Sequence, residues 1–216
     1  MEYFKNNLAL IHFLKSNDLS KTNWIEQKYL KEQSIINEFE KSDRIYFMNS
    51  GVGVVEILGH EKQYISSFIF ENDLFGLDSF STFKQKAHSI RIVSDQAVIF
   101  SIKKEHLLAA LNQEPTYYEM ILTNFADILQ RHYTYFDFLH LPTTDRVKQA
   151  LTYLNDRIGV LSEEEIIELP KYITQDVLAK FCRTSQSRIS VCLTELHVAG
   201  WLKKKTVPIT LNDCQY

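Results

Sequence analysis

Between Pro115 and Pro142 the chain runs without a glycine or another proline, and its apolar residues recur every three or four positions. This pattern reads as one helix of nearly 40 Å, at about 1.5 Å per residue. Tyr118, Ile121, Phe125, Ile128, His132, Tyr135 and Leu139 alternate steps of three and four, the spacing of a heptad seam. Leu122, Leu129 and Phe136 form a second apolar row seven apart. One small domain needs a single buried face, so two rows predict two partners. One row is expected to pack on the chain's own sheet region. The other, taken here as the row from Tyr118 to Leu139, is expected to pair with a second copy of the chain. His132 is the polar member of that seam, a position that can set register or respond to pH. A helix buried wholly in its own core is the alternative reading of the same pattern.

Upstream, from about residue 30 to 103, the period changes to that of short strands. Ser34–Ile36, Arg44–Met48, Val52–Ile57, Tyr64–Ile69 and Ile90–Val93 are rich in β-branched and aromatic residues. Asn49-Ser50-Gly51, Leu58-Gly59-His60-Glu61 and Glu71-Asn72-Asp73 supply turns between them. Strands this short at this spacing predict an antiparallel sandwich or barrel and argue against βαβ units. The first thirty residues read as a helical flap over the sheets.

Downstream, Pro142 ends the long helix, since proline lacks an amide donor and clashes with the preceding turn. Thr143-Thr144-Asp145 are cap candidates for a further helix over 146–155. This break divides the chain into a strand-rich region (1–114), a long helix (115–141) and a last region (142–216). Residues 1–142 carry 14 basic and 18 acidic side chains, whereas 143–216 carry 10 and 9.

Within the last region, the 26 residues from Lys180 to Lys205 hold Lys180, Arg183, Arg188, Lys203, Lys204 and Lys205 against Glu195 alone. This local excess sits in a chain whose net charge is −3. It suits a polyanion, because each cation placed on a phosphate releases condensed counterions. The pattern beneath it is more specific. Thr174 can cap a short helix with Val177, Leu178 and Phe181 inside, followed by a turn at Cys182-Arg183-Thr184. Ser185 then caps a second helix whose Ile189, Cys192, Leu193 and Leu196 fall at i, i+3, i+4 and i+7. Two short helices with an exposed N-terminal turn on the second describe a helix-turn-helix. Trp201-Leu202, Lys203-Lys204-Lys205 and the segment 207–211 read as strand, basic turn and strand, a wing beside the helices. Thr174, Arg183, Thr184, Ser185, Gln186, Ser187, Arg188, Ser190 and Val191, with Lys203, Lys204 and Lys205, are therefore the candidate contacts to double-stranded DNA. A helical hairpin with no nucleic-acid role is the competing explanation.

Other chemistries find little support. The hydrophobic fraction is 45% and the charged fraction 24%, which fits neither a disordered chain nor a fibre. No apolar run approaches the roughly 18 residues of a membrane span. The opening residues Met1 to Lys5 lack a signal-peptide pattern, and three scattered cysteines make no disulfide framework, so a cytoplasmic location is expected. A metal-dependent enzyme on such sheets needs clustered ligands, yet the seven histidines never fall at close ligand spacing. No Cys-x-x-Cys, phosphate loop or nucleophile elbow occurs, so neither catalysis nor a cofactor is expected. Cys182 and Cys192 could report redox state, although Cys192 falls on the buried stripe.

Taken in order, these segments resemble the cyclic-AMP receptor protein and fumarate-nitrate regulator (Crp/Fnr) transcription factors. Ser34 to Gly51 looks like the opening strands of that family's cyclic-nucleotide-binding jelly roll, and Asn72-Asp73-Leu74-Phe75-Gly76 matches its turn into the phosphate-binding cassette. The resemblance implies an α+β chain: an N-terminal antiparallel β jelly roll, a long dimerisation helix and a C-terminal winged helix-turn-helix. It also implies a homodimer on a near-palindromic operator, with RNA polymerase as protein partner. Effector contacts would fall at Gly76, Leu77, Ala87 and His88. Cyclic-AMP binders of the family carry a Glu and an Arg-Ser pair where this chain has Leu77 and Ala87-His88, so no cyclic-AMP dependence is expected. With no cysteine before Cys182, the family's N-terminal iron-sulfur cluster is not expected either. Arg183 stands where the family's turn usually has a small residue or Gly. Val191 stands where it commonly has a guanine-reading Arg, a role left to Arg188 one turn earlier, or to a thymine methyl against Val191. Two further readings stay open: a ligand-sensing dimer acting through protein contacts, and a regulator with no effector.

Overall fold

Ile45, Tyr46, Phe47 and Met48 are all buried, and successive side chains of a strand point to opposite faces, so this strand must be covered on both sides. The computed structural model describes residues 7–18, 22–38, 42–59, 62–82, 88–161 and 167–212. It contains α1 (Asn7–Ser16), β1 (Trp24–Leu30), β2 (Ser34–Ile36), β3 (Arg44–Ser50), β4 (Gly53–Leu58), β5 (Gln63–Ile69) and β6 (Leu74–Phe75). Then come a short 3-10 turn (Leu77–Phe80), β7 (His88–Ile92), β8 (Gln96–Lys103), α2 (Lys104–Gln113) and α3 (Tyr117–Leu139). The last part comprises α4 (Thr143–Ile158), β9 (Val160–Leu161), β10 (Ile167–Glu168), α5 (Gln175–Phe181), α6 (Gln186–Val198), β11 (Leu202–Lys204) and β12 (Thr210–Leu211). The chain is α+β and forms two compact units, 1–58 with 67–132 and 59–66 with 133–216.

In the first unit, one sheet has the order β1-β8-β3-β6 and the other β2-β7-β4-β5. β8 is antiparallel to both β1 and β3. Alternate residues of β3 serve the two sides. Ile45 and Phe47 join Leu74, Phe100 and Ile102 beneath Leu10, Ile11 and Leu14 of α1 and Leu107 and Leu111 of α2. Tyr46 and Met48 join Phe75 and Ile99 against Ile36, Ile69, Ile90 and Ile92 of the second sheet. The first thirty residues are only partly the expected helical flap. Trp24–Leu30 is a strand, paired with β8 along its whole length. As an edge strand with most side chains in solvent, it lacks the apolar alternation that would announce it.

Two polar contacts hold α3 to this unit. Arg131 donates through Nη1 and Nη2 to both oxygens of Asp73, at 2.6 and 2.5 Å. Asp73 also accepts from the Phe70 amide, which locks the turn before β6. Asn7 and Asn124 exchange side-chain hydrogen bonds at 3.2 and 3.0 Å.

The row expected to pair two chains needs correction. Tyr118, Ile121 and Ile128 pack on the chain's own core, and Tyr135 is buried inside the second unit. The row left to solvent is Leu122, Phe125, Leu129, Tyr133 and Phe136, of which Leu122 is 66% and Phe136 60% exposed. Of the seven seam residues only Phe125 lies on it. His132 is half-buried. Burial first, then the Arg131 charge, lowers its pKa, so the native state favours the neutral ring. Its contribution to stability is lost as the pH falls below its ordinary value of 6.5.

In the second unit, Tyr135 stacks on Phe138 and Phe181, and its hydroxyl lies 3.0 Å from the carbonyls of both Ile65 and Phe181. Pro142 is itself the residue that precedes α4, and Thr143-Thr144-Asp145 form its first turn instead of capping it. β11, β12, β10 and β9 make a small sheet. Only Thr210–Leu211 of the segment 207–211 is strand.

Removing one partner of a buried bidentate pair strands the other charge, at a cost of about 3–5 kcal/mol. Asp73→Ala should therefore lower unfolding stability by about 3 kcal/mol in urea titration. A change below about 0.5 kcal/mol would show that the pair does not fasten α3.

Candidate nucleic-acid interface

Thr174 Oγ1 accepts a hydrogen bond from the Val177 amide at 3.3 Å, which caps α5, and Val177, Leu178, Ala179 and Phe181 are buried. The helix stops at Cys182. Arg183 then adopts the left-handed conformation, with φ 48°, and the Thr184 amide donates back to the Ala179 carbonyl at 3.0 Å. Ser185 Oγ accepts from the Arg188 amide at 3.2 Å and starts α6. Ile189, Cys192, Leu193 and Leu196 are buried, and α6 packs with both α4 and α5. The stripe turns the opposite side outward: Ser185, Gln186, Ser187, Arg188, Ser190 and Val191 are exposed.

The lysine turn touches the same helix. Lys203, Lys204 and Lys205 are exposed, and Lys205 Nζ donates to Thr194 Oγ1 of α6 at 3.2 Å. His197 Nδ1, 2.9 Å from the Leu202 carbonyl, ties the end of α6 to β11. Lys205 thus reaches α6 at Thr194, and Lys203 and Lys204 are exposed on the adjoining strand. Thr174 and Thr184 are only partly exposed. Arg183 is engaged differently: its guanidinium lies 5.2 Å from the ring centre of Tyr64 and 5.7 Å from that of Tyr135. These cation–π contacts offset the roughly 1 kcal/mol that a left-handed non-glycine residue costs. The sequence pattern gives Tyr64 no part in this site, offers Thr144 only as a cap, and shows Glu195 only as the acid within a basic segment. Glu195 faces Arg188 at 3.5 Å and accepts from Thr144 Oγ1 at 2.8 Å. Nothing local in the sequence signals the Thr144–Glu195 pair, 51 residues apart.

Both cysteines of this region are buried. Burial pushes the Cys182 thiol up to about 12, although the nearby Arg146 charge acts in the other direction. A thiol in that state is a poor nucleophile at neutral pH.

The positions proposed for an effector are dispersed in character. Gly76 has φ 86°, and a Cβ there would lie 3.1 Å from the Tyr46 ring. Leu77 belongs to the apolar core under α1 and α2. His88 Nε2 lies 3.6 Å from Asp78 Oδ2. Ala87 lies outside the described residues, as does the turn pair His60-Glu61. Among the described residues no three His, Cys, Asp or Glu side chains group as a metal site, and no helix is long and apolar enough to cross a membrane.

Comparison with known proteins agrees with this architecture. Residues 26–114 match the cyclic nucleotide-binding domain family. A cyclic nucleotide-binding domain containing protein from Listeria monocytogenes is 32% identical, with a TM-score of 0.81 over 96% of this chain and 97% of that one. The c-di-GMP responsive global regulator CLP of Xanthomonas campestris superimposes with a TM-score of 0.77 at 15% identity, over 95% of this chain and 99% of its own. A CRP-family transcriptional regulator from Thermus thermophilus gives 0.70 at 16% identity, over 87% and 92%. No curated protein matches in sequence. The chain belongs to the cyclic nucleotide-binding domain containing proteins, and it shares its fold with regulators of the CRP family.

Two outcomes test the local account. Ser185→Ala should lower stability by about 1 kcal/mol in urea unfolding, as loss of a helix cap does. Because the native state favours the protonated Cys182 thiol, its stabilising effect is complete below pH 9 and is lost as the pH rises towards about 12. The urea midpoint should accordingly fall more steeply over that range in the native protein than in Cys182→Ala; identical profiles would contradict the assignment.

Proposed function

We propose that the protein is a sequence-specific DNA-binding transcription regulator that acts as a homodimer on a near-palindromic site. The observation that carries this reading is the exposed first turn of α6, Gln186, Ser187, Arg188 and Ser190, above a buried stripe, with exposed Lys203, Lys204 and Lys205 following and Lys205 bonded to Thr194 of the same helix. In this reading α5 and α6 are a helix-turn-helix, β11 and β12 its wing, and the two facing sheets the family's jelly roll. The division of the chain goes with it: sensor region 1–114, pairing helix 115–141, DNA-binding region 142–216. The first turn of α6 enters the major groove, where Arg188 donates to a guanine edge and Gln186 to a neighbouring base. The lysines hold the phosphates, which fixes register without reading sequence.

Pairing through α3 is supported by its exposed row, Leu122, Phe125, Leu129, Tyr133 and Phe136, an apolar strip that a second copy would cover. The protein is read as a binding protein and not as an enzyme. Cyclic AMP is not its effector in this reading. Leu77 provides no carboxylate for a ribose, and Arg is missing at Ala87-His88, where a buried phosphate would need a charged donor. An effector of another kind would act by favouring one placement of the paired α6 helices.

Binding to mixed duplex DNA should weaken steeply with salt, and replacing Lys203, Lys204 and Lys205 by Gln should reduce the log–log slope by roughly one for each phosphate no longer neutralised. Affinity that does not change with salt would refute the reading. Phe136→Glu, which alters a side chain 60% exposed, should leave the fold intact yet give a monomer in sedimentation. A dimer persisting in this variant would contradict pairing through that row.

A further inference from the structure

Arg188 and Glu195 lie seven residues apart on α6. That spacing is about 10.5 Å along the axis and returns a side chain to within about 20° of the same direction. The two oxygens of Glu195 have different partners. Oε2 accepts from Thr144 Oγ1 of α4 at 2.8 Å, and Oε1 lies 3.5 Å from Nη1 of Arg188. Thr144 Oγ1 is in turn 3.5 Å from the buried Cys192 sulfur. The carboxylate is thus braced from a second helix on one side and offers its other oxygen to the guanidinium.

The side chains of Arg188 and Glu195 are 44% and 46% exposed, so the pair adds little to stability. Its consequence is geometric. An unbraced arginine at a helix surface samples many rotamers and loses that freedom when it docks on a base. One whose Nη1 is engaged by a fixed carboxylate presents its remaining donors in a restricted set of directions, as bidentate recognition of a base requires. The same carboxylate stands in an otherwise basic face, where it repels the phosphates that Lys203, Lys204 and Lys205 attract. A residue serving only general DNA affinity would not be acidic here.

We propose that Glu195, braced by Thr144, is a positioning residue for base recognition: it holds Arg188 so that its fork meets O6 and N7 of one guanine in each half-site. This rests on the DNA-binding reading above and assigns within it which residues, beyond those touching DNA, set specificity. Glu195 therefore acts with opposite sign on two quantities. It raises discrimination at one base pair and lowers affinity for DNA at large.

The test uses the full-length protein, its preferred duplex selected from random DNA, and a panel with each base pair changed in turn. Arg188→Ala identifies the base pair concerned by a loss of discrimination there of about 10- to 100-fold. Glu195→Gln should lose about three- to tenfold at that same base pair and none elsewhere, while binding non-selected duplex more tightly at low salt. Thr144→Val should reproduce the loss of discrimination, and Thr144→Ser should restore it. In the Arg188→Ala background, Glu195→Gln should cost no further discrimination, because the two act through one contact. Thermal midpoints close to that of the native protein would separate these effects from misfolding. Discrimination unchanged in Glu195→Gln, or reduced evenly at every base pair, overturns the assignment while leaving the DNA-binding reading in place. If the native protein prefers no duplex, both fall.

Discussion

Four side chains, Ile189, Cys192, Leu193 and Leu196, determine what α6 can offer to anything outside the protein. Once they are buried, rotation about the helix axis is fixed, because any turn would bring apolar surface into water at about 25 cal/mol per Å². The polar residues of the first turn then face outward, and Lys205 of the turn after β11 is held to the same helix at Thr194. The stripe is packed by α4 and α5, and α5 stacks through Phe181 on the aromatic residues at the end of α3. The chemistry of the surface is polar and cationic, but its arrangement is set by apolar packing behind it.

The long helix solves a different problem with the same means. Its inner row closes the core of the first unit, and two buried polar arrangements, Arg131 with Asp73 and Asn124 with Asn7, fix its register there. Such contacts specify one alignment, because a shift by one turn would leave a charge and two amides without partners. What remains outside is an exposed apolar row along α3, which is the argument for a second copy. The acidic excess lies in the first part of the chain and the basic patch near its end.

The helix pair around Ser185 was legible in the sequence because its signals are local: hydroxyl caps at Thr174 and Ser185, a period of 3.6, and apolar residues at the inner positions. The strands with consecutive apolar residues, such as 44–48, were legible for the same reason. The inward face of α3 was not. Its apolar rows lie close together around the helix, and which of them meets the sheets is decided by distant residues such as Asp73 and Leu107. β1 was missed because a mostly exposed edge strand carries the polar residues of a helix surface. Thr144 was read as a cap, and its side chain instead supports Glu195 across a gap of 51 residues. The part of the site that depends on tertiary contact is the part that sequence pattern cannot reach.

The central claim is that two copies of the α6 turn read one stretch of duplex. Selection from a pool of random double-stranded DNA by the full-length protein tests it most directly. The account predicts enrichment of a near-palindrome whose half-sites are separated by about one helical turn, roughly 34–36 Å. Enrichment of no sequence, or of a single asymmetric half-site bound by one chain, would contradict it.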